Sequence, residues 1–267
     1  MRKEKIPQEV EKYDLDSFLL QDETREPNWF YSIYKLSILS IGSSGSGKTS
    51  FLLNQLLNNV YDVSCIVFYL PNETIESGLY RSLFNKAATL FPDISFIISN
   101  LSKKEDTAYK LNDKVIMINH FITFKELFDI KKGFEKKFKN NKPFLLVFDD
   151  FISVFNKKEW FEFYEFLFNA SRLNSYIYCC VQSIKEIDPK IRSNFTIVTL
   201  FVNYLSITVV KTVLNNSIPL DLSKRNIDDL IRLVKQGTNK HEPLILVGST
   251  CEREKKIIYN KEYIIFD

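Results

Sequence analysis

Eight residues constrain this chain more than any others. Gly42-Ser43-Ser44-Gly45-Ser46-Gly47-Lys48-Thr49 fits the pattern G-x-x-x-x-G-K-[ST]. The apolar run Lys35-Leu36-Ser37-Ile38-Leu39-Ser40-Ile41 before it reads as a buried strand. After it, Leu52, Leu53, Leu56, Leu57 and Val60 recur at helical spacing. Each fixed position has a physical reason. Gly42 and Gly47 allow backbone conformations that aim successive N–H groups into one concavity, and the following helix adds the positive end of its dipole. Lys48 is expected to reach the β- and γ-phosphates, and Thr49 to give its hydroxyl to Mg²⁺. The chain has only 7 glycines, and three of them stand in this loop. The loop therefore needs glycine for its backbone. Gly42 to Thr49, together with Ser50, are the expected nucleotide-binding residues.

The rest of the chain alternates strand and helix signals, so an α/β fold with a mostly parallel central sheet is expected. Strand signals lie at Cys65–Tyr69, stopping before Pro71, and at 94–98, 115–118, 144–148, 176–181, 195–202, 243–248 and 256–266. Helix signals lie at 74–90, 123–139, 158–172 and 224–236, and the polar stretch Ser102 to Asp113 reads as an exposed loop. The helix at 158–172 leaves little polar surface beyond Glu162, Glu165 and Asn169. A helix so apolar is wholly buried or lies against another subunit. The organisation expected is an N-terminal arm over 1–30, docking through Phe18, Leu19, Trp29 and Phe30, and a single domain over 31–267. That domain would carry an insert near 71–143 and a strand-containing extension from about 203.

Three further elements point to hydrolysis. Phe144-Leu145-Leu146-Val147-Phe148 is a continuous apolar run, as in a strand buried on both faces, and it ends on Asp149 and Asp150. Two carboxylates there need a cation or water. Asp149 is placed to hold Mg²⁺, and Asp150 to orient the attacking water, although a pair of this kind can also cap a helix. Gln182 stands at the tip of the 176–181 strand, where it can report the γ-phosphate or remain a solvated strand end. Arg172 and Arg192 are the candidate arginines for a charge-stabilising finger donated from a neighbouring subunit, with a surface or structural role as the alternative for each. The distance from Asp149 to Gln182 fits the P-loop branch with an extra strand between the phosphate-loop strand and the Mg²⁺ strand.

Composition narrows the partners. A net charge of +3 permits nucleic acid without arguing for it. Lys131, Lys132, Lys136, Lys137, Lys139 and Lys142 form a basic run that reads either as a pore lining or as a solvated helix face. Cys65, Cys179, Cys180 and Cys251 make no CxxC pair or His/Cys cluster, which argues against zinc and for reduced apolar thiols. No apolar run approaches the about 20 residues needed to span a bilayer, and no signal peptide is visible. Asn239-Lys240-His241-Glu242 approaches a guanine-reading loop in letters, but it follows a polar segment and ends in Glu. No arginine-rich kinase lid is present.

The phosphate loop, the Leu145–Asp150 strand, the segment Phe166 to Asn174 with its Arg172-Leu173-Asn174, the Cys179-Cys180-Val181-Gln182-Ser183 strand end and Lys190 to Phe195 together resemble the genome-packaging ATPases of poxviruses, other large DNA viruses and virophages. These belong to the FtsK–HerA group of motors. The resemblance spans roughly 36–202. It implies ATP and Mg²⁺ as cofactors, with Lys48 and Thr49 on nucleotide and metal, Asp149 and Asp150 on metal and water, Gln182 as sensor and Arg172 as the finger acting in trans. It also implies a homo-oligomeric ring, pentameric or hexameric, moving double-stranded DNA into a preformed capsid. A capsid protein is then a further partner, and the location is the host cytoplasm (a viral factory) or the virion. The insert near 71–143 is longer than the poxvirus form, and nothing assignable matches the tail from 203. The alternatives are an NTPase of the same fold that moves no DNA, as a nucleotide-dependent switch or a small-molecule kinase, and an accessory subunit that binds nucleotide for assembly only.

Overall fold

Twelve strands and eight helices follow one another along the described residues, which in this computed structural model are 2–5, 37–57, 62–139, 141–170, 172–192, 194–216, 224–237, 241–247, 256–259 and 262–265. In chain order they are β1 (Arg2–Lys5), β2 (Ser37–Ile41), α1 (Lys48–Leu57), β3 (Cys65–Leu70), α2 (Asn72–Ile75), α3 (Gly78–Leu90), β4 (Ser95–Asn100), β5 (Ala108–Lys110) and β6 (Val115–Ile118). Then come α4 (Phe124–Phe138), β7 (Phe144–Phe148), α5 (Lys157–Asn169), β8 (Ser175–Val181), α6 (Pro189–Arg192), β9 (Ile197–Leu200), α7 (Ile207–Asn216), α8 (Lys224–Gln236), β10 (Leu244–Val247), β11 (Lys256–Tyr259) and β12 (Glu262–Ile265). Most of the expected arm over 1–30, including Phe18, Leu19, Trp29 and Phe30, lies outside the described residues, as does Cys251.

Contacts divide the chain into two units, Met1–Val60 with Cys180–Asp267, and Tyr61–Cys179, so the chain passes from the second to the first within β8. In the second unit β8, β7, β3, β4 and β6 pair in parallel in that order, and β5 adds an antiparallel edge. In the first unit β2 pairs in parallel with β9, while β9, β10, β11, β12 and β1 continue antiparallel. The architecture is the expected α/β P-loop fold, a mixed sheet with flanking helices, parallel where the candidate residues stand. β8 is the extra strand of the expected branch. It pairs along β7 from Phe144↔Ser175 to Phe148↔Cys179, and its last carbonyl, on Val181, accepts from Gly42 N–H at 3.2 Å.

The core explains these elements. β3 and β7 are buried at every position, as continuous apolar runs between covered faces require. In the second unit Tyr69 stacks on Phe148 at 4.4 Å, and Phe163 meets Phe148 edge-on at 4.9 Å. Such pairs add about 0.5–1.5 kcal/mol each beyond their area. In the first unit Phe51 of α1 packs edge-on against Phe201. Capping boxes start α4 (Thr123 with Glu126) and α5 (Asn156 with Glu159).

Several expectations need correction. The helix expected over 74–90 is two, because Ser77 is extended (φ −61°, ψ 146°) and restarts the chain at α3. The loop expected over 102–113 contains β5; the Asn112 side chain accepts from Lys114 and Val115 N–H and turns the chain back onto β6. The strand expected over 256–266 is two antiparallel strands, β11 and β12. α7 and β1 carried no sequence signal, and β1 is an edge strand within the expected arm. α5 is not wholly buried: Phe163, Phe166 and Leu167 face inward, whereas Phe161 and Phe168 are 61% and 62% exposed. No helix among the described residues is long and apolar enough to cross a membrane.

Candidate functional site

In the first unit the buried strand β2 delivers the loop Gly42–Gly47, and α1 begins at Lys48. Gly42 is fixed by packing. A Cβ there would lie 2.4 Å from Ser46 Oγ and 2.9 Å from Phe201 Cβ. Gly45 and Gly47 are fixed by conformation, with φ of 73° and 102°. Ser46 N–H closes a turn on the Ser43 carbonyl at 3.2 Å. Lys48 is buried, and its ammonium donates to the carbonyls of Gly42 at 2.5 Å and Ser43 at 3.0 Å. These carbonyls satisfy the charge within the loop, and a phosphate offers the same Nζ stronger, charge-assisted acceptors. Ser46 Oγ is buried without a hydrogen-bond partner. The left-handed glycines, the helix start and the lysine drawn over the loop together fit a polyphosphate. Thr49 and Ser50 stand in the first turn of α1 and are partly exposed.

Gln182 belongs to the same unit. It is exposed, one residue beyond Val181, whose carbonyl holds Gly42. Arg192 is also here, and of its two readings the structural one describes its surroundings. It is only 7% exposed, and its Nε donates to the Ile187 carbonyl at 2.8 Å. Burial draws its guanidinium below the ordinary arginine value, and Asp188 opposes that shift. Its surroundings are those of a structural residue.

The second unit holds Asp149, Asp150 and Arg172. Asp149 follows β7 and is 2% exposed; Tyr80 of α3 donates its hydroxyl to Asp149 Oδ2 at 2.8 Å. Asp150 is exposed, with φ 52°, and accepts from Thr74 Oγ1 of α2 at 3.2 Å. A left-handed non-glycine residue is a strained choice, tolerated by Asp better than by most residues. Neither carboxylate caps a helix, because α5 starts at Lys157 on its own Asn156 cap. The pair supplies the hard oxygen donors that Mg²⁺ prefers. Arg172 is exposed just beyond α5, at the other end of the parallel strands, since Asn174 O accepts from Phe144 N–H at the start of β7.

The basic run is not one surface. Lys131 is buried, pairing with Glu135 at 3.0 Å and donating to the Lys142 carbonyl, while Lys142 pairs with Asp62 at 2.7 Å. Lys132 lies over the Phe128 ring. Cys65, Cys179 and Cys180 are buried and form no disulfide.

Tyr80, Thr74 and His241 were not singled out in the sequence as site residues. His241, weighed only as part of a guanine loop, donates from Nδ1 to the Ser46 carbonyl at 3.2 Å and stacks on Tyr204 at 5.4 Å. Its Cβ would be 3.5 Å from a Cβ on Gly47, so it braces the outside of the phosphate loop. Asn239 and Lys240 lie outside the described residues. No spacing rule links His241 to a loop almost two hundred residues earlier.

A family model described as poxvirus A32 protein matches residues 31–263. The chain belongs to the poxvirus A32 protein family. Its activity is therefore ATP hydrolysis that drives the packaging of viral DNA, which removes the switch, kinase and accessory-subunit alternatives. The A32-family chain is also similar in fold to the genome packaging NTPase B204 from Sulfolobus turreted icosahedral virus 2. In complex with AMPPCP that protein aligns at 14% identity and TM-score 0.51, covering 84% of this chain and 96% of that one. In complex with sulfate the values are 14%, 0.52, 84% and 94%. No curated protein matches the chain.

Proposed function

We propose that this A32-family chain hydrolyses ATP with Mg²⁺ at a site shared between neighbouring copies in a homo-oligomeric ring of five or six. Lys48 leaves the Gly42 and Ser43 carbonyls for the β- and γ-phosphates, and backbone N–H groups of the loop hold the β-phosphate. Thr49 and Asp149 hold Mg²⁺, which supplies charge neutralisation at the phosphates when bound. Asp150 orients the attacking water, Gln182 senses the γ-phosphate, and Arg172 completes a neighbour's site. The exposed Phe161 and Phe168 on the helix that leads to Arg172 support a contact between copies. Residues 31–267 act as one ATPase domain with an insert near 71–143 and an extension from about 203. The cargo is double-stranded DNA, gripped nonspecifically and taken into a capsid, in the host cytoplasm or at the virion.

The observation that carries this reading is the buried Lys48 ammonium folded onto its own loop, above a cradle in which Gly42 has no room for a side chain and Gly45 and Gly47 are left-handed. The test is Lys48→Ala, assayed for ATP turnover with and without long double-stranded DNA, alongside mass by light scattering. The expected result is a folded protein whose turnover is at background. Unchanged turnover overturns the site, and DNA-indifferent turnover by a wild-type monomer overturns the shared-site motor.

A further inference from the structure

Two carboxylates end β7, and the helices after β3 place a hydroxyl on each, but the two hydrogen bonds are not equivalent. Thr74 meets the exposed Asp150 at 3.2 Å, where water competes. Tyr80 meets Asp149 at 2.8 Å, and the two residues are 1% and 2% exposed. The Tyr80 ring sits among apolar neighbours, edge-on to Phe68 and stacked on Phe84, each at 5.8 Å. Packing alone would be served as well by phenylalanine. The hydroxyl is the only polar part of that side chain, and it is spent on the one buried carboxylate at the strand end. A carboxylate held by a buried donor loses its freedom to rotate, so the direction of its second oxygen is set before any ligand arrives.

We propose that Tyr80 is a positioning residue for the metal-binding carboxylate: its hydroxyl fixes the rotation of Asp149, so that the cation meets a preset oxygen. The inference rests on the assignment of Asp149 to Mg²⁺ made above. It also gives α3 a direct link to the metal, since one hydrogen bond ties its first turn to the end of β7.

The test is Tyr80→Phe in the full chain, with binding of the non-hydrolysable analogue AMPPNP measured across a Mg²⁺ titration and in EDTA. A charge-assisted hydrogen bond of this kind corresponds to about a tenfold effect. The expected result is an about tenfold higher Mg²⁺ midpoint with unchanged affinity in EDTA. A variant carrying 3-fluorotyrosine at position 80, which keeps the hydroxyl, should behave as wild type. An unchanged Mg²⁺ midpoint in a Tyr80→Phe protein with a wild-type unfolding transition overturns the proposal. So does an equal loss of affinity with and without metal, which a merely structural role would give. Asp149→Asn separates the two readings. If it retains the Mg²⁺-dependent gain, the metal assignment itself fails; if it loses that gain while Tyr80→Phe keeps it, only the role of Tyr80 fails.

Discussion

Gly42→Ala tests whether the first glycine of the phosphate loop is required by space rather than by backbone conformation. The added methyl would lie 2.4 Å from Ser46 Oγ, 2.9 Å from Phe201 Cβ and 3.1 Å from Ser46 Cβ. All three are well inside ordinary contact, and Gly42 cannot back away freely because its N–H is held by Val181 O. Overpacking of this kind costs about 1–3 kcal/mol. For a chain of this size that lowers the thermal midpoint by about 2–12 °C. The nearest offender is a hydroxyl with no partner, so Ser46→Ala removes the shortest contact and also an unsatisfied buried polar atom. The double variant Gly42→Ala/Ser46→Ala should therefore be more stable than the sum of the single effects by about 1 kcal/mol. Gly45→Ala is the contrast. Nothing lies within 4 Å of its Cβ, yet its φ is 73°. Its cost, about 1–2 kcal/mol, is conformational, and Ser46→Ala should not relieve it. Urea unfolding of the wild type, the three single variants and the two double variants with Ser46→Ala provides the assay. If Gly42→Ala and Ser46→Ala add within about 0.5 kcal/mol, the steric account of Gly42 is wrong.

Two further outcomes follow from the site. Arg172→Ala subunits mixed with wild type should depress ATPase activity more steeply than the mutant fraction; a proportional loss means that Arg172 does not act across an interface. His241→Ala removes one hydrogen bond to the loop, worth about 0.5–1.5 kcal/mol. ATP affinity should therefore fall by up to about tenfold while Gln182 and Lys48 variants keep their own effects, and unchanged affinity by calorimetry means that the brace is idle.

What the sequence disclosed depended on how local each signal was. β7 was legible to the residue, because a strand buried on both faces leaves an unbroken apolar run and Asp149-Asp150 marks its end. The phosphate loop was legible because its glycines, lysine and threonine all fall within eight consecutive residues. β5 was not, since Ala108, Tyr109 and Lys110 are all exposed and only their pairing with β6 makes them a strand. Tyr80 read as one more apolar position of a helix; its hydroxyl matters through Asp149, which lies 69 residues further on. Arg192 stayed open between a finger and a structural residue because charge is visible in a sequence and burial is not. Lys131 misled in the same way, as a lysine in a basic run whose ammonium is held by Glu135 and a carbonyl.

The placement of Arg172 bears on whether one chain can complete its own site. β7 and β8 run parallel with Phe144 opposite Ser175, so Arg172 stands beyond the amino ends of these strands while Asp149 stands beyond the carboxyl end of β7. Five residue steps along the strand separate Phe144 from Asp149, about 17 Å at the usual rise. An arginine side chain does not bridge that span, and the short αL turn at Asn174, φ 46°, leads directly into β8. Within one copy, then, the second unit keeps its exposed arginine and its carboxylates at opposite ends of the sheet. A charge-stabilising role for Arg172 is thus compatible only with a second copy that presents its amino-end edge to the carboxyl-end edge of the first. Such a contact is heterologous and closes into a ring when its rotation divides the circle. The exposed Phe161 and Phe168 on α5 offer apolar surface for that contact. Phe161→Ser/Phe168→Ser should therefore shift the mass seen by light scattering toward the monomer and leave Mg²⁺-dependent AMPPNP binding intact. Unchanged assembly with wild-type turnover would place the interface elsewhere.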